Sequence, residues 1–270
     1  MSETPETLER LHLTREGAVS RVTLARPAVR NAFDDVLIAE LSNVFLSFVN
    51  DPNTRVVVLA GEGPTFCAGA DVEWMRRAGS YSQAENEADA EKMARMLRAI
   101  DACPRPVIAL AHGAAIGGGV GLVAAADIAI AAEGTVFSLA EVKLGILPSV
   151  ISPYVLRAIG ARQARDLFLT GDRFDAREAY RIGLVHEVVP AGDLELACQK
   201  KIASLLTSGP EAVGVAKRLI EKVAGKTPDE AMPLTVRTIA ERRASEEAKE
   251  GLSAFLEKRR PSWAGKKEGR

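Results

Sequence analysis

The segment Val107-Ile108-Ala109-Leu110-Ala111-His112-Gly113-Ala114-Ala115-Ile116-Gly117-Gly118-Gly119-Val120 passes from a wholly apolar run through a glycine-rich turn into a second apolar run. Val107–Leu110 has the length and composition of a strand buried on both faces, and Val120–Ala126 reads as a buried helix. A second segment has the same design. Val56–Ala60 is an apolar strand, and it leads through Gly61, Gly63 and Pro64 into Phe66-Cys67-Ala68-Gly69-Ala70-Asp71. Small residues in such a turn let a ligand come close to the backbone. The first N–H groups of a helix lack intrahelical partners and sit at the positive end of its dipole, so they are open to an anion. Each segment alone could equally be a turn that needs small residues for packing.

Outward from these segments, Val19–Leu24 alternates as a strand should, and Arg26-Pro27 ends it. Leu37, Leu41, Val44, Phe45 and Phe48 recur at helical spacing, as do Met93, Met96, Leu97 and Ile100 within a helix expected over Ala84–Ile100. Ile128–Ala131 is a third buried strand. Strand, glycine-rich turn and helix therefore recur, which predicts an α/β fold of stacked ββα or βαβ units without a sequence repeat behind them. From about Gly192 the chain becomes more charged and helical. Helices are expected over Asp193–Leu206, Pro210–Val223 and Asp229–Lys258, with Asp193 and Asp229 as N-caps and Gly251 as an interruption. The tail after Pro261 is expected to be disordered or held by a partner. The division is a core over residues 1–191 and a helical region over 192–270.

Hydrophobic residues make up 47% of the 270, enough for a packed core. The 35 basic and 36 acidic residues give a net charge of -1, which argues against a nucleic-acid surface. Met1–Arg10 is polar and has no apolar secretory core. Val120–Ala132 is broken by Asp127 and too short to span a bilayer. Cys67, Cys103 and Cys198 form no CxxC pair, so a reducing, cytoplasmic setting is expected, with each thiol a small apolar filler. There is no GxSxG, and His12, His112 and His186 are too dispersed for a triad or metal cluster. Gly119-Val120-Gly121-Leu122-Val123-Ala124 fits a loose dinucleotide fingerprint, but Ala111–Gly118 separates it from the strand that should feed it.

Taken together, Phe66-Cys67-Ala68-Gly69-Ala70-Asp71 and His112–Gly119 resemble the signature of the enoyl-CoA hydratase/isomerase (crotonase) superfamily. The resemblance runs from about Arg10 to Trp263. It includes Leu24-Ala25-Arg26-Pro27 with Asn31-Ala32-Phe33, Ala126-Asp127-Ile128, Glu141 through Pro148, Leu169 through Ala176, and Ala254 through Arg259. It implies a crotonase-like ββα spiral core with a C-terminal helical trimerisation region, assembled as a homotrimer or homohexamer. It implies an acyl-CoA thioester substrate, whose coenzyme A takes the place of any separate cofactor. The N–H groups of Ala68 and Gly118 would hold the thioester oxygen. Arg26, Arg30, Gly69, Ala70, Asp71 and Lys258 would contact coenzyme A.

Hydratases of this family commonly use two glutamates. Glu141 matches one, and Gly121 stands where the other would be. An acid in the apolar run around Glu141 should have a raised pKa suited to proton transfer. One carboxyl could support hydration or a 1,3-proton shift. The sequence from Glu141 to Tyr154, with Gly117 through Gly121, is similar to bacterial methylglutaconyl-CoA hydratases of leucine degradation. Gly121 is then expected to leave room for the substrate's own carboxylate, with Lys143 or Arg76 as its counter-charge and Gly117 lining the pocket. A Δ3,Δ2-enoyl-CoA isomerase and a non-catalytic CoA-thioester-binding homologue are the alternatives.

Overall fold

In the computed structural model, which describes residues 6–264, β1 (Glu6–Thr7), β2 (Leu11–Glu16) and β3 (Val19–Leu24) form an antiparallel edge. The chain continues through α1 (Asp35–Ser47), β4 (Val56–Gly61), α2 (Val72–Ala78) and α3 (Gln83–Asp101). Next come β5 (Val107–Ala111), β6 (Ala114–Ile116), α4 (Gly118–Ala125), β7 (Ile128–Ala132) and β8 (Val136–Ser138). Then follow α5 (Ser152–Thr170), β9 (Arg173–Asp175), α6 (Ala176–Arg181) and β10 (Glu187–Val189). Four helices close the chain: α7 (Leu194–Leu206), α8 (Pro210–Val223), α9 (Pro228–Ala244) and α10 (Glu246–Leu256).

The principal sheet has the order β1-β2-β3-β4-β5-β7-β10 and is parallel from β3 onward. A second ladder lies beside it. It consists of β6, β8 and β9, and it is extended by single-residue bridges from Cys67 to Ala115 and from Phe33 to Ala70. Each turn of the chain thus gives one strand to the sheet, one short segment to the ladder, and then a helix. The unit is ββα, which settles the choice left open between ββα and βαβ.

Side-chain size explains the packing. Val57, Leu59, Val107, Ala109, Ala111, Ala129 and Ala131 point into the larger core, with the helices α1, α3, α4 and α5 against them. The alanines among them leave room for α4, every residue of which is buried. A helix apolar on all sides is stable only when enclosed in this way. Val56, Val58, Ile108, Leu110 and Ile130 face the other side, where Ala197 and Cys198 of α7 cover them. All three thiols are buried, and burial pushes that of Cys67 up to about 12.

The C-terminal reading changes in three places. The cap of α9 is Thr227, in a reciprocal capping box with Glu230, and Asp229 sits in the first turn. Asp193 occupies the cap position of α7 but makes no capping hydrogen bond. The break between the last two helices falls at Ser245. Gly251 lies inside α10, where the missing Cβ makes way for the Trp263 ring, 3.0 Å from that position. Trp263 is fixed further by its indole N–H to the Thr207 carbonyl at 3.2 Å, and its own carbonyl accepts from Arg55 at 2.7 Å. The tail is therefore anchored as far as Ala264, and residues 265–270 lie outside the described part. No helix of the described residues is long and apolar enough to cross a membrane.

Gly113 joins sheet to ladder with φ of 64°, and a Cβ there would lie 1.9 Å from the Pro64 carbonyl oxygen. Gly113→Ala is therefore expected to lower unfolding free energy by about 3 kcal/mol or more, read by urea denaturation. A loss under 1 kcal/mol would show that the junction relaxes freely.

Candidate active site

The second ladder brings the two small-residue segments together. The Cys67 N–H donates to the Ala114 carbonyl at 3.1 Å, and the Ile116 N–H donates to the Cys67 carbonyl at 3.0 Å. Backbone approaches backbone so closely that side chains are excluded. A Cβ on Gly69, whose φ is 89°, would lie 2.9 Å from the Ile116 carbonyl oxygen. One on Gly119 would lie 2.6 Å from that of Cys67.

The hydrogen bonds decide which N–H groups are free. The Ala68 N–H donates to the Arg30 carbonyl at 2.9 Å. Ala68 is thus not an available donor, which corrects the sequence-based assignment. The available one is two residues on. Phe33 donates to the Gly69 carbonyl at 2.7 Å and accepts from the Asp71 N–H at 2.8 Å, so it grips the chain on both sides of Ala70. In a parallel bridge of this kind, the middle residue turns its own N–H away from its partner. The Ala70 N–H has no partner among the described residues. Gly118 is the first residue of α4, and its N–H is likewise unpaired. The Phe33 ring lies over Gly118, with its Cε2 2.8 Å from where a Cβ would be. Phe33 therefore links the Ala70 and Gly118 donors.

Glu141 arrives from the next turn of the spiral. It lies in a 3-10 turn, Ala140–Leu144, directly after β8. Gly117 donates its N–H to the Ser138 carbonyl at 2.8 Å, which holds that turn against the start of α4. The Glu141 Oε1 lies 2.9 Å from the place of a Gly117 Cβ, so glycine is what admits the carboxyl. Oε2 is buried with no hydrogen-bond partner. Burial raises the Glu141 pKa above the ordinary 4.5. Two free amide donors and one desolvated carboxyl thus share the mouth of α4. Such a site can hold a developing oxyanion while moving a proton next to it.

The other expected contacts sort differently. Arg26 is buried between Asp34 and Asp71, with both contacts at 3.0 Å. Asp71 also caps α2, accepting from the Glu73 N–H at 2.9 Å. Burial alone would push the Asp71 carboxyl up, but the capping bonds and Arg26 hold it below its usual value. Both terminal nitrogens of Arg26 and both carboxylate oxygens of Asp71 are thus engaged within the protein. Arg30 is exposed and has no ion-pair partner among the described residues. Lys258 is exposed at the end of α10, far along the chain from the site, and α10 packs on α9. Lys143 pairs with Asp172 at 3.1 Å, and Arg76 pairs with Glu73 at 2.9 Å.

Gly121 does not open space. A Cβ there would lie 2.3 Å from the Ile151 Cγ2 and 3.6 Å from the Leu97 Cδ2. Hydrocarbon from the start of α5 and from α3 fills the position where a second glutamate would project. Ile151 carries no local sequence signal, because it enters from a loop 30 positions away. Phe33 and Met93 both lie over Gly118, and nothing in their local sequence sets them apart from motif or core residues.

The chain matches a family model described as enoyl-CoA hydratase/isomerase over residues 14–266. It is 35% identical to the carnitinyl-CoA dehydratase of Citrobacter koseri, over 96% of this chain and 99% of that one. It is 32% identical to the crotonyl-CoA hydratase of Syntrophomonas wolfei, over 96% and 99%. The solved structure of an enoyl-CoA hydratase from Shewanella pealeana superposes with a TM-score of 0.92 at 41% identity, covering 96% of this chain and 97% of that one.

The packing at Gly121 generates a double-mutant test. Gly121→Ala alone should cost about 1–3 kcal/mol of stability by overpacking. In an Ile151→Ala background the same change should cost much less, a coupling readable by urea denaturation of all four proteins. Equal costs in both backgrounds would separate the two residues.

Proposed function

As the chain belongs to the enoyl-CoA hydratase/isomerase family, we propose that it hydrates an enoyl-CoA thioester, with Glu141 as the only acid–base group. The observation that carries this reading is the buried, partnerless Glu141 Oε2 beside the unpaired first turn of α4. In the proposed reaction, the Glu141 carboxylate takes a proton from water as the hydroxyl oxygen bonds to C3 of the enoyl group. The electron pair of the double bond moves through C2 to the thioester oxygen, where the N–H groups of Ala70 and Gly118 meet the charge. The enolate then returns the pair to C2, which takes the proton from Glu141. Water is added in full, and no further cofactor is consumed. Each N–H donor is worth about 3–4 kcal/mol at the transition state.

For the acyl group, a methylglutaconyl thioester is the first candidate, on the similarity of the Glu141–Tyr154 segment. Gly121 no longer argues for it. Relatives named for crotonyl-CoA and carnitinyl-CoA define the competing substrates. Arg30 is the residue proposed for the coenzyme A phosphates. Lys258, exposed beyond the end of α10, is proposed to reach the coenzyme A of a neighbouring copy in a trimer or hexamer. Leu252, Phe255 and Leu256 on α10 and Met232, Val236 and Ile239 on α9 are exposed, and apolar faces of this kind favour assembly. Three buried thiols fit a cytoplasmic location. The single carboxyl also favours a second reading, a Δ3,Δ2-enoyl-CoA isomerase, in which Glu141 moves one proton between C2 and C4. A turnover screen over crotonyl-, methylglutaconyl-, carnitinyl- and 3-enoyl-CoA in isotopically labelled water separates the two, because only hydration incorporates the oxygen. Binding without turnover of any of these would leave a CoA-thioester-binding protein.

Glu141→Gln should reduce kcat by about 10²–10⁴-fold. Activity at full occupancy supports another base. In the wild type, the acid limb of the pH profile should fall at a pH above the ordinary carboxylate value of 4.5, since the base form is lost as pH drops through the raised pKa. A limb at or below 4.5 would contradict the desolvated base. Stability has the opposite sign. The folded protein binds the Glu141 proton more tightly than the unfolded chain does, so stability declines as pH rises through this window. Glu141→Gln removes that decline, and its Tm relative to wild type should increase from pH 4.5 toward neutrality.

A further inference from the structure

We propose that Arg26 is a positioning residue for the Ala70 N–H, resting on the reading that this amide holds the thioester oxygen. Arg26 is not on either small-residue segment, and its side chain is only 12% exposed. It makes three contacts: hydrogen bonds to the Ala32 carbonyl and the Asp71 carboxylate, and an ion pair with the Asp34 carboxylate. Ala32 and Asp34 flank Phe33, and Asp71 follows Ala70. The guanidinium therefore ties together the residues on either side of the Phe33–Ala70 bridge, the contact that turns the Ala70 N–H outward.

The mounting of Arg26 is rigid. Its own N–H donates to the Asn31 Oδ1 at 2.8 Å, and the Asn31 side-chain nitrogen donates to the Glu62 and Thr65 carbonyls at 2.9 and 2.8 Å. Asn31 is fully buried, and both Arg30 and Asn31 hold left-handed backbone angles, with φ of 53° and 56°. Two successive non-glycine residues in that region cost strain energy and persist only where surroundings over-determine them. This turn also supplies the Arg30 carbonyl that occupies the Ala68 N–H. One clamp thus does two things: it uses up the wrong amide and aims the right one. The remaining oxygens of the two acids cap helices, Asp34 for α1 and Asp71 for α2, so the clamp also fixes two helix starts. Arg10 also reaches Asp34, at 3.2 Å, so loss of Arg26 leaves Asp34 paired but takes the counter-charge from Asp71 and unties it from the Phe33 side of the bridge. Lysine restores the charge but not the fork that reaches three acceptors at once.

The test compares wild type with Arg26→Lys in two measurements. The first is the infrared carbonyl stretch of bound butyryl-CoA, a saturated thioester that does not react and whose frequency reports polarisation by N–H donors. The second is steady-state turnover of crotonyl-CoA. The expected result is a carbonyl band moved back toward its free position, with kcat lower by about 10- to 100-fold and KM changed by less than about 3-fold. A rise in KM at constant kcat would instead place Arg26 on coenzyme A and overturn the proposal. An unchanged band and unchanged kcat, with only Tm lowered, would make Arg26 purely structural and overturn it as well. Should Arg26→Lys fail to fold, Asp71→Asn keeps a capping oxygen for α2 while weakening the clamp, and the same band shift is expected. A wild type that polarises butyryl-CoA but turns over no enoyl-CoA would sink the hydratase reading while leaving the clamp to be judged by the band alone. No polarisation in the wild type would sink the clamp.

Discussion

The parallel bridge between Phe33 and Ala70 is the contact on which the site depends. Its two hydrogen bonds engage the Gly69 carbonyl and the Asp71 N–H, and they leave the peptide N–H between them facing outward with nothing to accept it. Ala70 is half-exposed, so this donor is open to solvent or a ligand. The short ladder keeps the peptide from rotating it away. Cys67 is held by Ala114 and Ile116, Ala68 by Arg30, and Gly69 and Asp71 by Phe33. Every neighbour of Ala70 is engaged, so the free donor is a consequence of saturation elsewhere.

The second donor and the carboxyl follow from the same economy of volume. α4 begins against Cys67 and Ile116 because Gly69 and Gly119 remove the side chains that would keep the two segments apart. Gly117 removes a third, and Glu141 enters the space. A carboxyl placed there is stripped of water and receives no hydrogen bond at Oε2. The helix start offers a positive end to an anion, yet burial dominates and raises the pKa. The folded state therefore holds an open amide donor and a desolvated acid within one small region, and the acid is the one that costs stability.

Much of this was legible in the sequence. The sheet strands, the long helices and both small-residue segments follow from apolar periodicity and glycine placement, which are local signals. The choice of Ala70 over Ala68 was not legible, because it depends on partners at Arg30 and Phe33, more than 30 positions earlier in the chain. Arg26 reads in the sequence as a coenzyme A contact, since a basic residue beside a motif shows its charge but not its ion pairs with Asp34 and Asp71. Gly121 looked like open space, since a glycine does not reveal whether a neighbour has taken the vacated volume. Ile151 had. The break at Ser245 was missed because Gly251 gave the stronger local signal, and only the Trp263 ring explains that glycine. In each case, a short-range pattern located the segment and a long-range contact decided which atom was free.

The filled position at Gly121 constrains the proposed chemistry. With Ile151 and Leu97 opposite, Glu141 must both accept a proton from water and give one to C2. A group that acts as base and then as acid within one turnover works best when its pKa lies near the working pH, so that neither form is scarce. An ordinary surface glutamate would be a poor acid at neutrality. Desolvation moves Glu141 in the required direction, and no second charge is needed to do it. A glutamate at position 121 would itself repel the Glu141 carboxylate and add to that shift. Here burial of Glu141 alone supplies the shift. The one-carboxyl arrangement also fixes the geometry of addition: the group that takes the proton from water is the group that gives it to C2, so the hydroxyl and the hydrogen add to the same face of the enoyl plane.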